Sequence, residues 1–172
     1  MLRTQLIRLE YTMKNILLIL LVLTVAVVAK PAHAANFDFS KAVAIGSGPK
    51  TVIEFTDPDC PFCRKAAKYF EGRRDVTQQV FFYPLSRHPR AKEKAQYILS
   101  HMDRATAYHE VMSGKLDSLQ KYEGITPNGV KLQEEQLEIV KKQKIDSTPT
   151  FFINGRIIVG FDKIKIEEAL GQ

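Results

Sequence analysis

Residues 57–65 read DPDCPFCRK and hold the only two cysteines of the 172-residue chain, Cys60 and Cys63. The run TVIEFT at 51–56 precedes them, and its β-branched and aromatic residues predict a strand buried on both faces. Pro61 follows the first cysteine, and proline suits the first turn of a helix because its missing N–H would have no partner there. The stretch therefore predicts a strand followed by a helix, with a Cys-x-x-C motif where the helix begins.

Further strands and a helix are predicted around this unit. Before it, residues 42–45 form a candidate strand that ends at the turn-forming sequence 46–49, Gly-Ser-Gly-Pro. After it, the helix is predicted to extend over about 61–74, and a second buried strand over 80–83 ends at Pro84. Strands and helices thus alternate, as in an α/β domain.

The C-terminal half predicts more helices and a hairpin. Apolar residues at helical spacing predict one or two core-facing helices within 89–112, and they are Ala95, Ile98, Leu99, Met102, Ala105 and Met112. Thr-Pro at 126–127 predicts the capped start of a helix that ends near residue 144. An Asn-Gly turn between two apolar runs predicts a hairpin over 151–159, and an amphipathic helix is predicted over 163–170.

Residues 1–34 have the three parts of a secretory signal peptide. An apolar run at 16–29, broken only by a threonine, follows Lys14 and precedes the small-residue sequence Ala-His-Ala at 32–34. The run is shorter than the ~20 residues that a spanning helix needs. We expect cleavage after residue 34, and the alternative is an uncleaved N-terminal anchor. Met13 would be a more usual start for such a signal than Met1. We therefore expect export to a periplasm, where disulfides persist.

The charge and length of the chain fit one exported domain over 35–172. The chain has 25 basic and 19 acidic residues; four of the basic and one of the acidic residues lie in 1–34, so cleavage would lower the net charge from +6 to +3. A charge this small does not indicate nucleic-acid binding. No repeat or low-complexity segment divides the domain.

The Cys-x-x-C motif predicts a reactive thiol. A nucleophilic cysteine must be ionised, and the first cysteine of such a motif at a helix N-terminus has its pKa lowered from about 8.5 to roughly 3.5–7.5. Cys60 is in that position, where peptide N–H groups and the nearby Arg64 and Lys65 would stabilise its thiolate. Cys63, one helical turn later, would be the resolving thiol that attacks a mixed disulfide on Cys60.

Three other interpretations of the cysteine pair have less support. A structural disulfide stabilises mainly by closing a loop, so a bridge across two residues would stabilise far less than one across ~15 residues. A zinc site usually needs four ligands, and outside the signal the chain adds only three histidines, His88, His101 and His109. Haem attachment requires histidine after the second cysteine, where this chain has Arg64.

Four segments together resemble the periplasmic disulfide oxidoreductases named Dsb. They are Glu54-Phe55-Thr56-Asp57, Cys60-Pro61-Phe62-Cys63, Thr148-Pro149-Thr150 and the hairpin 151–159. The resemblance implies a thioredoxin fold, a central mixed sheet flanked by helices, with a helical insertion at about 89–124. It implies that Cys60 and Cys63 form a redox-active disulfide, and that Pro149 is a cis-proline facing it, preceded by Thr148. Pro149, Thr148, Phe62 and Pro61 would then contact the substrate chain.

The resemblance also assigns a role to Glu54. The family places a buried acid six residues before the first cysteine, and this acid relays protons to and from the inner thiol. A carboxyl group in an apolar strand has its pKa raised by desolvation, so Glu54 could exchange protons with Cys63 near neutral pH. The alternative is a carboxylate at the strand end that reaches water or pairs with a lysine.

The expected function is a periplasmic thiol:disulfide oxidoreductase without a cofactor. It would form, reduce or isomerise disulfides in exported proteins, and a membrane partner would renew its cysteines.

Two departures from the family limit this expectation. Only about 14 residues lie between the cleavage site and the turn at Pro49, too few for the isomerases' dimerisation domain, so a monomer is expected. Phe62 replaces the histidine of the strong oxidase, which suggests a less oxidising pair. The alternatives are a reductase for a dedicated partner such as cytochrome c maturation, or a non-catalytic chaperone or metal-binding module.

Overall fold

The computed structural model describes residues 37–171 and builds them around a five-stranded mixed sheet. The predicted signal segment 1–34 lies outside the described residues. The strands are β1 (Val43–Gly46), β2 (Lys50–Thr56), β3 (Val76–Phe82), β4 (Thr150–Ile153) and β5 (Arg156–Val159). Their order across the sheet is β1-β3-β2-β4-β5, in which β2 and β3 are parallel and the other neighbours are antiparallel. The central strand β2 therefore leads directly into the cysteine motif.

Within residues 37–171, five helices and one short 3-10 turn accompany the sheet. The helices are α1 (Pro61–Glu71), α2 (Ala91–Ser100), α3 (Arg104–Met112), α4 (Pro127–Lys142) and α5 (Lys163–Leu170), and the turn is Phe39–Lys41. Side chains of α1, α2 and α3 pack with Val80 and Phe82 of β3, whereas Val140 of α4 packs with Phe55 and Phe81. Since successive strand residues point to opposite faces, these groups cover the two sides of the sheet.

Local sequence signals explain several boundaries. The side chain of Thr126 caps α4 by accepting a hydrogen bond from the backbone N–H of Gly129 at 3.1 Å, as the Thr-Pro sequence predicts. The predicted Asn-Gly turn joins β4 to β5, with φ of 48° at Asn154 and 78° at Gly155. These positive values are tolerated best by asparagine and glycine. The last helix has the predicted bounds.

Other sequence predictions need correction. Strand β3 begins at Val76, four residues before the predicted start, and α1 ends at Glu71 rather than near residue 74. The prediction that Met102 faces the core is wrong, since this side chain is fully exposed. Helix α2 ends before this position, and Asp103 caps the start of α3. The helical spacing is therefore not continuous across Met102. Within 37–171 no helix is long and apolar enough to cross a membrane.

Candidate active site

Cys60 lies where β2 has ended and α1 begins. It is the N-cap residue of α1, in extended conformation, and its side chain is 3% exposed. Its Sγ atom lies 3.6 Å from the carbonyl oxygen of Thr148. Hydrogen bonds from the Cys63 thiol, and then from the backbone N–H groups of Cys63 and Phe62, lower the pKa of Cys60 to about 5 although burial opposes ionisation. A thiol with this pKa is almost entirely a thiolate at neutral pH.

Cys63 has the opposite electrostatic environment. It is completely buried on the first turn of α1, where the backbone N–H of Asp57 donates to its Sγ atom at 3.4 Å. Burial raises the pKa of Cys63 far above its ordinary value, and the neighbouring thiolate of Cys60 and the charge of Glu54 add to the effect. Both cysteines are free thiols. The pair thus combines an ionised outer thiol with a protonated inner one.

Glu54 is buried behind this pair. Its side chain on β2 is completely inaccessible, and its Oε2 atom accepts a hydrogen bond of 2.6 Å from the side-chain amide of Gln78 on β3. Its Oε1 atom has no hydrogen-bond partner within the described residues. Burial raises the pKa of Glu54 to about 7. Among residues 37–171 this carboxylate pairs with no lysine, and its burial keeps it from water, contrary to the alternative considered from the sequence.

Two polar residues that the sequence analysis missed accompany Glu54. Gln78 is the hydrogen-bond donor to Glu54. Tyr108 of α3 is completely buried, and burial, followed by the charge of Glu54, raises the pKa of its hydroxyl well above the ordinary value. Tyr108 is not among the residues whose helical spacing predicts a core-facing position within 89–112. Gln78 lies in a polar stretch, Thr-Gln-Gln at 77–79, that gives no strand signal.

Thr148 and Pro149 form the opposite wall of the site. The peptide bond between them is cis, and the carbonyl group of Thr148 faces Cys60. Together with Phe62 and the segment 159–162 they line a groove of about 280 Å³. Phe62 is 56% exposed and Pro61 is exposed beside it. The groove therefore lies beside the carbonyl group that faces Cys60.

A network of charges that the sequence did not predict anchors the loop before Cys60. The carboxylate of Asp57, completely buried, accepts hydrogen bonds from the backbone N–H groups of Asp59 and Leu85, each at 2.7 Å, and lies 2.9 Å from His88 Nδ1. The ammonium of Lys94 on α2 bonds to the carboxylate of Asp59. These contacts tie the loop to the segment after β3 and to the first helix of the insertion.

The same network extends to the loop after α3. Lys94 Nζ also donates to Asp117 at 2.6 Å, and the guanidinium of Arg64 forms two hydrogen bonds to that carboxylate, at 2.5 and 2.9 Å. Arg64 Nε donates to the carbonyl oxygen of Pro58 at 2.7 Å. The insertion is therefore fastened to α1 directly beside the cysteines. No cluster of three or more His, Cys, Asp or Glu side chains suited to a metal ion is found in 37–171.

Comparisons with known proteins agree with this geometry. The family model of the thioredoxin-like domain matches residues 37–170. The structure of a disulfide interchange protein from Neisseria gonorrhoeae is 32% identical, covers 78% of this chain and 96% of its own, and superposes with a TM-score of 0.66.

Two more distant structures share the fold. A periplasmic thioredoxin-like protein from Salmonella enterica serovar Typhimurium is 21% identical over 84% of this chain and 96% of its own, with a TM-score of 0.61. The catalytic domain of Proteus mirabilis ScsC is 20% identical over 81% of this chain and 92% of its own, with a TM-score of 0.60. No curated protein sequence matches.

Proposed function

We propose a function from one premise: the chain belongs to the family of thioredoxin-like domains and is a thiol:disulfide oxidoreductase of the Dsb type. The proposal is that Cys60 and Cys63 are its redox pair and that they exchange disulfides with proteins exported to the periplasm. The observation that carries it is the opposite shift of the two thiol pKa values at the start of α1, beside the groove at Pro149. The predicted signal at 1–34 and the periplasmic relative from Salmonella support the location.

In the oxidising direction the site starts as a disulfide. A substrate thiolate attacks Cys60 Sγ, the bond between the two cysteines breaks, and Cys63 leaves as a thiolate that takes a proton from the Glu54 carboxyl group. A second substrate thiolate then attacks the substrate sulfur of the mixed disulfide. The substrate gains a disulfide, and Cys60 leaves as a thiolate, which the hydrogen bonds that lower its pKa stabilise.

In the reducing direction the same groups act in reverse. The Cys60 thiolate attacks a substrate disulfide and releases one substrate thiolate. Cys63 gives its proton to the Glu54 carboxylate and attacks Cys60 Sγ, which closes the disulfide and releases the second substrate thiolate. A carboxyl group with a pKa of about 7 can serve both directions because it is partly protonated at neutral pH.

The groove provides the substrate contacts in either direction. Thr148 and Pro149 would hold an extended substrate chain, and the exposed Phe62 and Pro61 would contact the residues on either side of its cysteine. The cysteines are the redox group, so no cofactor takes part. The protein acts as a monomer, and a membrane protein renews the pair.

The pKa of Cys60 also indicates the redox potential. A lower thiol pKa stabilises the reduced form, and the strong oxidant DsbA has a pKa of about 3.5 and a potential near −120 mV, whereas thioredoxin has about 7 and −270 mV. A value of about 5 at Cys60 places this protein between them. Equilibration with glutathione buffers should therefore give a potential between roughly −230 and −150 mV.

Substitution of the cysteines tests the assignment. Cys60→Ser should abolish both insulin reduction and the oxidation of a reduced substrate, whereas Cys63→Ala should accumulate a mixed disulfide that mass spectrometry detects. The exposed Ser118, replaced by cysteine in the Cys60→Ser background, controls for activity of an unactivated thiol. Retention of turnover by Cys60→Ser would exclude the proposed redox pair.

A further inference from the structure

A second groove touches the cysteine motif on another face of α1. It has a volume of about 470 Å³ and lies between α1 and the end of α3. Its apolar surface comes from Pro61, Ala67 and Met112. The groove begins at Pro61, the residue directly after the proposed nucleophile, whereas the groove at Pro149 begins at Phe62. The helical rotation of 100° per residue directs these two adjacent positions to different sides of α1.

The groove is lined by a clear excess of positive charge. Three cationic side chains border it, those of Arg64, Lys65 and Lys68, against a single carboxylate, that of Glu71 at its far end. The positive end of the α1 dipole lies at the near end. A negatively charged group is therefore favoured close to Pro61 and opposed near Glu71.

Two of these cations are available for a partner. The guanidinium of Arg64 is already neutralised by Asp117 and Asp59. Lys65 and Lys68 are both exposed, and neither forms an ion pair with any carboxylate of residues 37–171. The ammonium of Lys65 lies 5.3 Å from the ring centroid of Phe62, so it stands on the ridge between the two grooves.

We propose that this basic groove, defined by Pro61, Lys65, Lys68 and Met112, binds an acidic segment of the protein that exchanges disulfides with Cys60. The inference rests on the proposed function and adds the charge of its partner. The occupant has an apolar side chain for the floor of the groove and at least one carboxylate for the two lysines. This segment belongs to the partner protein, in the same polypeptide as the partner cysteine that reacts with Cys60.

The length of α1 sets where that carboxylate lies. Seven residues separate Pro61 from Lys68, which is about 10 Å along a helix at 1.5 Å per residue. An extended chain covers that distance in about three residues at 3.3 Å each. The acidic side chains of the partner should therefore lie within about four residues of its reactive cysteine, in the part of the partner chain that passes over Pro61.

Disulfide exchange with two matched peptides tests the proposal. Each contains one cysteine as a mixed disulfide with a chromogenic thiol, and glutamates at the second, third and fourth positions from the cysteine in one peptide are glutamines in the other. The reduced wild-type protein should react about tenfold faster with the acidic peptide at low salt, and this preference should disappear in high salt, since exposed charges are screened.

Charge reversal locates the preference. The double variant Lys65→Glu/Lys68→Glu should reduce the ratio of the two rate constants about tenfold, and Lys68→Gln alone should reduce it about threefold. The control variant Lys131→Glu/Lys142→Glu changes the net charge equally but on exposed positions of α4, at the other face of the sheet. It should keep the wild-type ratio. An unchanged ratio in the Lys65 and Lys68 variants, or an equal loss in the control, would overturn the proposal.

A binding measurement separates this inference from the proposed function. The acidic peptide with serine in place of cysteine should bind the wild-type protein at low salt more tightly than its glutamine counterpart, as measured by fluorescence anisotropy. If the peptides bind with this difference but no exchange occurs, the redox function is wrong and the basic groove stands. If exchange occurs without a preference in rate or in binding, the basic groove is wrong and the redox function stands.

Discussion

Replacing Glu54 with glutamine should change how the stability of the reduced protein depends on pH. Glu54 is completely buried, and burial raises its pKa from the ordinary value of 4.5 to about 7. Between these two values the unfolded chain releases the proton of Glu54 while the folded protein keeps it. Protonated Glu54 therefore contributes stability that is complete below pH ~4.5 and is lost as the pH rises through about 7.

The size of the effect follows from the shift. One pKa unit corresponds to about 1.4 kcal/mol, so a shift from 4.5 to about 7 amounts to about 3 kcal/mol in the free energy of unfolding. Glutamine has nearly the same shape, cannot ionise, and still accepts from the amide of Gln78 as Glu54 does at 2.6 Å. The variant should match the wild type near pH 4 and be about 3 kcal/mol more stable near pH 8.

Urea unfolding of both proteins in the presence of a reductant measures this difference. The chain has no tryptophan, so far-ultraviolet circular dichroism is the suitable signal. The exposed Glu168, replaced by glutamine, is the control for removing a carboxylate that is not buried. If wild type and Glu54→Gln lose stability in parallel between pH 5 and pH 8, the pKa of Glu54 is not raised and its role as a proton relay fails with it.

Three further substitutions test other parts of the structure. The rate of Cys60 alkylation by iodoacetamide should rise with pH around a midpoint of about 5, and Cys63→Ala should move that midpoint upward because it removes the thiol that donates to the thiolate. Thr126→Ala should cost about 1 kcal/mol of unfolding free energy in urea, since it removes the cap of α4. Lys94→Met leaves two carboxylates without their ammonium and should cost about 2 kcal/mol in the same assay, whereas the exposed Lys92→Met should cost almost nothing.

The sequence predicts those parts of the fold that depend on local signals. The helix that begins at Pro61, the cap at Thr126 and the Asn-Gly turn at 154–155 are confirmed, because proline, a capping hydroxyl and a positive φ each constrain the chain where they occur. The thioredoxin fold is likewise confirmed. That prediction needed four separated motifs taken together, since no single one of them specifies a topology.

The residues that surround Glu54 could not be predicted, and the reason is the same as for the wrong start of β3. Gln78 is 2% exposed, yet glutamine in a strand usually indicates a solvated position, so the polar stretch before Val80 gave no strand. Its amide meets Glu54 only because β2 and β3 pair in parallel with Val52 opposite Gln78. Strand register is a property of the assembled sheet.

The insertion has a part in the chemistry that its sequence does not suggest. Residues of α3, Tyr108 and Val111, belong to the same core cluster as Cys60 and Cys63, and burial is the largest cause of the raised pKa values of Cys63 and Glu54. Cys60 differs because the thiol of Cys63, and after it the backbone N–H groups of Cys63 and Phe62, donate to its sulfur and lower its pKa. The inner thiol and the helix start therefore ionise Cys60 while burial keeps Cys63 neutral, and this difference between neighbouring thiols depends on the cover that α3 provides as well as on the Cys-x-x-C motif.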